Sequence, residues 1–475
     1  MVKATEKKTE AIDVEGVIND LATKGNDALK VLAKFDQAKV DQIVHEMAMA
    51  ALDKHMLLAK MAVEETGRGI VEDKAIKNMY ASEYIWNNIK DNKTAGVIHE
   101  DKQKHLIQIA EPVGVICGVT PTTNPTSTTI FKALIALKTR NPIIFAFHPS
   151  AQKCSAEAAR IIRDAAIAAG APENCIQWIE QPSLEATQGL MNHPGVAIVL
   201  ATGGGAMVKA AYSTGKPALG VGPGNVPAYI EKTANIKRAV NDLLVSKTFD
   251  SGMICASEQA VIVDKEIYET VKKEFQAHQV YFVKKNELRQ LEAVVMNEGK
   301  YAVNPKIVGF SAKAIADLAG IGVPNGTKML VAELDGVGPD YPLSREKLSP
   351  VLAMIKSNST EHGFDLSEAM LELGGLGHTA VIHSEDEEAQ LEFSLRMKAC
   401  RILINSPSSE GGIGDIYNEL IPSLTLGCGS YGKNSVSHNV SALDLINIKT
   451  VAKRRKNMQW FKLPPKIYFE KNSLL

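Results

Sequence analysis

Residues 113–121 read VGVICGVTP, and they open a series of short apolar runs separated by helical segments. The runs PIIFAFHP (142–149), CIQWIEQ (175–181) and VAIVLATGGG (196–205) follow. Short apolar runs that alternate with helical segments are typical of parallel strands buried on both faces. The pattern therefore predicts an α/β fold with an open, doubly wound sheet.

A second series of the same kind begins after Ala256. It starts with QAVIVDK (259–265) and continues through KMLVAEL (328–334), VLAMIKS (351–357), TAVIHS (379–384) and RILINSP (401–407). These runs predict a second α/β lobe, which meets the first near residues 248–254. An interface between two lobes is a preferred place for an active site.

The segments outside these two series have other patterns. Residues 14–95 are rich in Ala, Leu, Met, Lys and Glu with apolar spacings of three and four, which predicts long amphipathic helices. Residues 96–112 alternate, which predicts a β-hairpin. The C-terminal segment ends in KIYFEK (466–471), which we expect to form a strand that pairs away from its own core.

Composition excludes several classes of protein. The 475 residues include 53 Lys and Arg against 54 Asp and Glu, for a net charge of −1, and 45% are hydrophobic. This profile is globular, and it argues against a general polyanion binder. No apolar stretch reaches the roughly 18 residues of a membrane span, and the N-terminus lacks a signal sequence, so we expect a cytoplasmic protein that binds neither membrane nor nucleic acid.

The six cysteines, at positions 117, 154, 175, 255, 400 and 428, form no CxxC pair, so neither a zinc site nor a disulfide framework is indicated. Cys255 differs from the others because it lies in FDSGMICA (249–256), a glycine-containing turn just before a strand. Such a turn can expose a thiolate nucleophile. The alternative is a buried small apolar residue, and Cys117 and Cys428 are the competing candidates.

Three other segments are candidate ligand loops. TGGG (202–205) follows a strand and opens a helix, where backbone amides attract phosphate, although the GxGxxG spacing is missing and a structural turn fits equally. GVGPGN (220–225) is a ligand loop or a tight chain reversal. In TPTTNP (120–125), the Asn124 amide could stabilise an oxyanion or cap a helix.

Taken together and in this order, the segments resemble the aldehyde dehydrogenase superfamily. The finer resemblance is to the CoA-acylating branch, in particular the N-terminal half of the bifunctional aldehyde-alcohol dehydrogenases. It is carried by KTFDSGMICASEQ (247–259), EKLSPVLAM (346–354), GGLGHTA (374–380), CRILINSP (400–407), GGIGDIYN (411–418) and PSLTLGCGS (422–430). It covers nearly the whole chain.

The resemblance implies roles for individual residues. Cys255 matches the nucleophile that forms a thioester, and Asn124 matches the side-chain half of the oxyanion hole. Glu346 matches the residue that binds the nicotinamide ribose, with Leu348 against the ring. The cofactor, NAD, would be bound by Thr120, Pro121, His148, Pro149, Thr202, Gly203, Gly204, Gly205, Gly222, Glu346, Leu348 and Leu426.

Two departures from the wider superfamily sharpen the expectation. Hydrolytic members have a water-activating glutamate in the loop that here reads GVGPGNVP, and no carboxylate occurs from Gly215 to Ile230. A CoA thiol needs less activation, so the loss fits acyl transfer to coenzyme A as co-substrate, with His378 as a candidate to assist that thiol or orient the acyl group. The chain stops at Leu475 with no clustered histidines, so we expect no iron-dependent alcohol dehydrogenase activity and no metal.

The resemblance implies an NAD-dependent acetaldehyde dehydrogenase (acetylating), which interconverts acetyl-CoA and acetaldehyde. The alternatives are a hydrolytic dehydrogenase, an acyl-phosphate reductase or a non-catalytic assembly module. The expected domains are an NAD-binding domain (14–95 and 112–247), a catalytic domain (248–435) and an oligomerisation element (96–111 and 436–475). We expect a homo-oligomer, a dimer, since the family pairs subunits through this element and the bifunctional proteins form filaments.

Overall fold

The computed structural model describes residues 13–297, 299 and 302–454, so the strand expected at 466–471 lies outside the described residues. The helices in chain order are α1 (Val14–Leu32), α2 (Gln37–Asp53), α3 (His55–Thr66), α4 (Val71–Met79), α5 (Ile85–Ile89), α6 (Pro125–Lys138), α7 (Gln152–Ala168), α8 (Leu184–Asn192), α9 (Gly205–Tyr212), α10 (Ile236–Thr248), α11 (Tyr268–Gln276), α12 (Leu288–Val295), α13 (Ala312–Leu318), α14 (Thr360–Gly374), α15 (Glu387–Arg396) and α16 (Ser408–Ile413).

The strands are distributed over three sheets. In chain order they are β1 (Gly96–Asp101), β2 (Leu106–Pro112), β3 (Ile116–Val119), β4 (Ile143–Ala146), β5 (Ile176–Trp178), β6 (Ile198–Thr202), β7 (Ala218–Val221), β8 (Val226–Ile230), β9 (Glu258–Asp264), β10 (Val280–Phe282), β11 (Met329–Leu334), β12 (Val351–Ser357), β13 (Gly377–His383), β14 (Ala399–Ile404) and β15 (Ile446–Ala452).

The first sheet is parallel, with strand order β5-β4-β3-β6-β7. Strands β3 and β4 are fully buried along their length, as a parallel sheet covered on both faces requires. The chain runs outward from β3 to β5 on one side and from β6 to β7 on the other. The point where the order reverses lies between β3 and β6, and open α/β sheets bind ligands at such a point.

The second sheet has seven parallel strands in the order β10-β11-β12-β9-β8-β13-β14. The two parallel sheets confirm the predicted α/β architecture with two lobes. No helix among the described residues has both the length and the apolar character needed to cross a membrane.

A third, antiparallel sheet has the order β1-β2-β15. The alternation of residues 96–112 therefore does form a hairpin. Strand β15 adds to it from more than 330 residues further along the chain, with Ile446 opposite Pro112. This sheet is the small β element that accompanies the two lobes.

The chain enters the second sheet earlier than the expected domain boundary. Strand β8 (Val226–Ile230) already pairs with β9 and β13, whereas the boundary was placed between residues 247 and 248. The boundary was expected later because residues 218–230 are rich in glycine and proline. This composition is typical of a loop, although the segment forms β7 and β8. The change of sheet therefore takes place in the short loop 222–225.

Candidate functional site

A cavity of about 520 Å³ lies where the first sheet meets the second, within the usual size range of small-molecule sites. One wall consists of residues that directly follow strands of the first sheet. Thr120, Gly203 and Gly222 are the first residues after β3, β6 and β7, and His148 is the second residue after β4. The carboxyl ends of parallel strands thus supply this wall, as expected for an open α/β sheet.

The opposite wall comes from segments that precede strands of the second sheet. Cys255 lies shortly before β9, and Glu346 and Leu348 lie shortly before β12. Helix α16 adds Glu410, and helix α4 adds Lys77. The cavity is therefore shared between the two lobes.

Most of the residues predicted from the sequence line this one cavity. They are Thr120, Pro121, Asn124, His148, Pro149, Thr202, Gly203, Gly204, Gly222, Cys255, Glu346, Leu348 and Leu426. Two predicted residues lie outside the lining, and these are Gly205 and His378. Gly205 is the first residue of α9, directly behind the turn that reaches the cavity.

Cys255 is half-buried, and it is the cysteine that faces the cavity. Cys117, inside β3, and Cys428 are both buried and lie outside the lining. Burial and, to a smaller extent, the nearby Glu346 carboxylate raise the pKa of the Cys255 thiol to about 12, and Arg401 opposes this shift. The thiol is therefore protonated at neutral pH in this state of the protein, and attack by sulfur requires loss of its proton.

The turn before Cys255 has an unusual backbone. Asp250, Ser251 and Gly252 all have positive φ angles, of 46°, 54° and 73°. A left-handed conformation costs a residue other than glycine roughly 1–2 kcal/mol, so this turn must be held by its surroundings. At Gly252, a Cβ would lie 2.7 Å from the carbonyl oxygen of Ser349, so the close approach of that segment requires glycine.

The Asp250 side chain holds the turn in place. Its Oδ1 accepts the backbone N–H of Ile70 at 2.9 Å, and its Oδ2 accepts from Lys74 at 2.9 Å and Lys77 at 2.5 Å. The Asp250 backbone N–H donates to Oδ2 of Asp73 at 2.8 Å. A fully buried carboxylate is thus paired with two buried ammonium groups beneath the cysteine.

Asn124 is the residue before α6, which begins with Pro125. Its side chain makes no capping hydrogen bond to that helix. Instead, Oδ1 accepts from the Lys77 ammonium at 2.7 Å, and Nδ2 lies 3.4 Å from the carbonyl oxygen of Met253. Asn124 therefore occupies the N-cap position of α6 without capping the helix through its side chain, and its amide lies beside the segment that carries Cys255.

Glu346 combines burial with a place on the cavity wall. Its Oε1 accepts the backbone N–H of Gly224 at 3.1 Å. Burial raises the pKa of this carboxyl to about 7, against the lowering effects of the Gly224 hydrogen bond and of Lys247 and Lys347. A carboxylate in this position can accept hydrogen bonds from ligand hydroxyl groups.

The residues present fit a dinucleotide. The Thr120 hydroxyl is buried on the cavity wall without a hydrogen-bond partner, so it can bond to a ligand. A Cβ added to Gly204 or Gly222 would meet no atom within 4 Å, so both glycines leave open space along the wall. His148 lies at the same edge, where burial and Arg68 lower the pKa of its imidazole.

His378 is fully buried behind the cavity wall rather than on it. Its Nδ1 is 2.9 Å from Oγ1 of Thr379, and its Nε2 has no partner. A Cβ on Gly224 would lie 3.3 Å from its Cδ2 and 2.0 Å from the Cys255 carbonyl oxygen, so Gly224 packs against both the imidazole and the Cys255 backbone. Burial and Arg401 hold the pKa of His378 well below its usual value.

The sequence pattern missed several charged residues of the site. Lys77 and Glu410 line the cavity, and Arg401 donates to the carbonyl oxygens of His378 and Gly427. Lys77 lies in an amphipathic helix, where lysines normally face solvent. The signal that the sequence offered was Asp250, a charged residue in the otherwise uncharged, glycine-containing turn before Cys255. Among the described residues, no group of His, Cys, Asp and Glu has the arrangement of a metal site.

Comparisons with known proteins show which family the chain resembles. A profile of the aldehyde dehydrogenase family matches residues 7–413. Aldehyde-alcohol dehydrogenase 2 of Entamoeba histolytica is 56% identical over 474 residues, which are 98% of this chain and 54% of that protein. The chain spans about half the length of the first curated relatives it matches.

Two solved structures are also similar. An acetylating aldehyde dehydrogenase from Geobacillus thermoglucosidasius has a TM-score of 0.92 and 48% identity, covering 94% of this chain and 98% of that one. A propionaldehyde dehydrogenase from Rhodopseudomonas palustris, solved with bound CoA and an acylated cysteine, has a TM-score of 0.82 and 28% identity, covering 92% and 97%. The chain therefore belongs to the aldehyde dehydrogenase family.

Proposed function

We propose that the protein is a CoA-acylating acetaldehyde dehydrogenase, which interconverts acetaldehyde, CoA and NAD+ with acetyl-CoA and NADH. The observation that carries the proposal is the loop at residues 222–225. It packs against the Cys255 backbone through Gly224, and it contains no carboxylate that could activate water. The similarity to an acetylating aldehyde dehydrogenase over nearly the whole of both chains supports the same activity.

In this mechanism the Cys255 sulfur attacks the carbonyl carbon of acetaldehyde. The thiol loses its proton to water, the carbonyl π electrons move to oxygen as the thiolate adds, and a thiohemiacetal oxyanion forms on Cys255. The Asn124 side-chain amide and the Cys255 backbone N–H would donate to the developing oxyanion. When bound, NAD+ supplies the hydride acceptor, and loss of hydride leaves a thioester on Cys255.

The thioester is then transferred to CoA. The thiolate of CoA attacks the thioester carbonyl, the bond to Cys255 breaks, and acetyl-CoA leaves with the cysteine restored. Glu346 and Leu348 would orient the nicotinamide ribose and ring, and the strand ends at Thr120, His148, Thr202 and Gly222 would bind the rest of the cofactor. His378 stays a candidate for orienting the acyl group or the CoA thiol through a movement of the Gly224 loop.

The decisive assay measures NADH formation from acetaldehyde with CoA, with inorganic phosphate, and with neither. We expect NADH only with CoA, with acetyl-CoA as product. NADH and acetate formed without CoA would identify a hydrolytic enzyme, and phosphate-dependent acetyl phosphate would identify an acyl-phosphate reductase.

Cys255→Ala tests the nucleophile in the same assay, and Cys428→Ala is its matched control because Cys428 is buried outside the cavity lining. We expect Cys255→Ala to abolish turnover and Cys428→Ala to retain it. A wild type without turnover under any condition would favour the assembly module instead.

We also propose that the three domains have the expected roles and that the protein is a cytoplasmic homo-oligomer, a dimer, able to join filaments when part of a bifunctional protein. Val97, Ile448 and Val451 leave apolar surface exposed on the antiparallel sheet, and subunit pairing would cover it. All six cysteines are free thiols, as a reducing compartment favours. The oligomeric state is measured by light scattering, and a monomer at micromolar concentration would contradict this assignment.

A further inference from the structure

Lys77 is a buried lysine that contacts three groups around the nucleophile. Its side chain is 3% exposed. The ammonium donates to Oδ1 of Asn124 at 2.7 Å, to Oδ2 of Asp250 at 2.5 Å and to the carbonyl oxygen of Met253 at 3.2 Å. One cation therefore connects the Asn124 amide to the turn that ends in Cys255.

The contact with Asn124 fixes which end of the amide faces the ammonium. An ammonium group has three donors and no acceptor, so it can bond only to the oxygen of an amide and not to its NH₂ group. The Nδ2 atom of Asn124 must then point away from Lys77. Its contacts within the protein, with Thr123 Oγ1 and Met253 O, are both 3.4 Å long. These are longer than ordinary N–H···O bonds, so the NH₂ group keeps donor capacity for a ligand oxygen.

We propose that Lys77 is a positioning residue for Asn124. Its ammonium holds Oδ1, so that Nδ2 is presented to the carbonyl oxygen of a substrate bound at Cys255. Its positive charge also polarises the amide and strengthens the donated hydrogen bond. The inference rests on the proposed function, in which Asn124 donates to the oxyanion.

The contact with Met253 gives Lys77 a second effect on the same geometry. Met253 is two residues before Cys255, so the ammonium sets the distance between the nucleophile segment and the Asn124 amide. Hydrogen-bond donors stabilise an oxyanion only when they lie about 2.7–3.1 Å from the position it will occupy. Loss of Lys77 should therefore affect turnover more than substrate binding.

The chain contains a matched control for this role. Lys74 is on the same helix, has the same burial and donates to the same Asp250 oxygen at 2.9 Å. Its other hydrogen bond goes to the carbonyl oxygen of Thr123, at 2.9 Å. Lys74→Met and Lys77→Met each leave Asp250 with one ammonium partner. They differ in the contacts with Asn124 and Met253, which Lys77 makes and Lys74 does not.

The experiment measures kcat and KM for acetaldehyde with saturating CoA and NAD+ in the wild type, Lys77→Met, Lys74→Met, Asn124→Ala and the double variant Lys77→Met/Asn124→Ala. We expect Asn124→Ala to lower kcat about 100-fold, the usual effect of removing an oxyanion donor. We expect Lys77→Met to lower kcat about tenfold with KM changed by less than about twofold, which is less than the roughly 100-fold that a 1 Å misplacement can cost. Lys74→Met should lower kcat by less than about threefold.

The double variant provides the sharpest test. If Lys77 acts mainly through Asn124, adding Lys77→Met to Asn124→Ala lowers kcat by much less than tenfold, which leaves only the effect of the lost Met253 contact. A further tenfold loss in that background, or an equal loss in Lys74→Met, would overturn the inference. Thermal melting checks folding, and Lys77→Gln replaces Lys77→Met under the same criteria if the latter does not fold. A wild type without CoA-dependent turnover refutes the proposed function itself, and an Asn124→Ala variant with wild-type kcat refutes the role of Asn124.

Discussion

The backbone N–H of Gly224 donates a 3.1 Å hydrogen bond to Oε1 of Glu346. This bond joins the loop between the two sheets to the segment before β12. The loop itself has no carboxylate, and the Glu346 carboxylate in the cavity is engaged by the loop's backbone. The Glu346 carboxylate is also close enough to Cys255 to raise the pKa of its thiol.

Glu346→Gln should weaken binding of NADH about tenfold or more. Hydrogen bonds to a charged acceptor contribute roughly 1.5–3 kcal/mol, and a neutral amide accepts more weakly. Fluorescence titration of NADH gives the dissociation constant. Glu333→Gln, which removes a carboxylate outside the cavity lining, is the control and should bind NADH as the wild type does. An unchanged affinity in Glu346→Gln would remove this residue from the cofactor site.

Alkylation of Cys255 by iodoacetamide should accelerate with pH up to at least pH 9, because burial and Glu346 raise the pKa of the thiol to about 12. Only the thiolate reacts, so the rate rises about tenfold per pH unit below the pKa. The rate constant is measured by mass spectrometry of the peptide that contains Cys255. Glu346→Gln should react faster than the wild type, since it removes a charge that opposes thiolate formation. A rate that levels off near pH 8 would contradict the environment described for this thiol.

Alanine substitutions at the two loop glycines should have different effects, because Gly222 faces open cavity space whereas Gly224 packs closely against Cys255. A Cβ on Gly224 would lie 2.0 Å from the Cys255 carbonyl oxygen, so Gly224→Ala must displace the nucleophile segment. We expect a loss of about 1–3 kcal/mol in stability, seen as a lower Tm, together with a lower kcat. In Gly222→Ala the added methyl group would enter open space, so Tm should stay near that of the wild type while the KM for NAD+ rises. Equal melting temperatures for the two variants would contradict this distinction.

Much of the fold was predictable because buried parallel strands are marked by apolar runs. The runs at 113–121 and 196–205 contain β3 and β6, and the glycine-containing turn before β9 indicated Cys255, the cysteine that lines the cavity. Strands β7 and β8 were missed because Gly220, Gly222, Pro223 and Pro227 give residues 218–230 the composition of a loop. These segments form strands because they pair with β6 and β9, and a local sequence pattern contains no information about such pairing.

The charged part of the site was not predictable for a different reason. Lys74 and Lys77 are buried beside Asp250, more than 170 residues away in the chain, whose carboxylate accepts hydrogen bonds from both ammonium groups. Periodicity within α4 records which side of the helix is apolar, but it contains no information about a distant carboxylate. The resemblance to a family identified Asn124 and Glu346, whereas only the structure brought Lys77 to Asn124.

Asp250→Ala should destabilise the protein strongly, by about 3–5 kcal/mol, because it leaves two buried ammonium groups without their shared carboxylate. The left-handed backbone at Asp250 costs the wild type roughly 1–2 kcal/mol, because this conformation is strained for every residue except glycine. Asp250→Gly relieves the strain and loses the same charge. We therefore expect Asp250→Gly to melt below the wild type but above Asp250→Ala.

Thermal melting at low ionic strength gives the Tm of the wild type, Asp250→Gly and Asp250→Ala. Asp20→Ala is the control for the loss of an exposed ion pair. Asp20 and Lys24 are both at least half-exposed, so their 2.6 Å pair should contribute less than about 1 kcal/mol. Asp250→Ala should lower Tm by about 5 °C or more, and Asp20→Ala by about 2 °C or less. If Asp250→Gly melted above the wild type, the backbone strain would outweigh the buried charges, and the carboxylate would not be what holds the turn beneath Cys255.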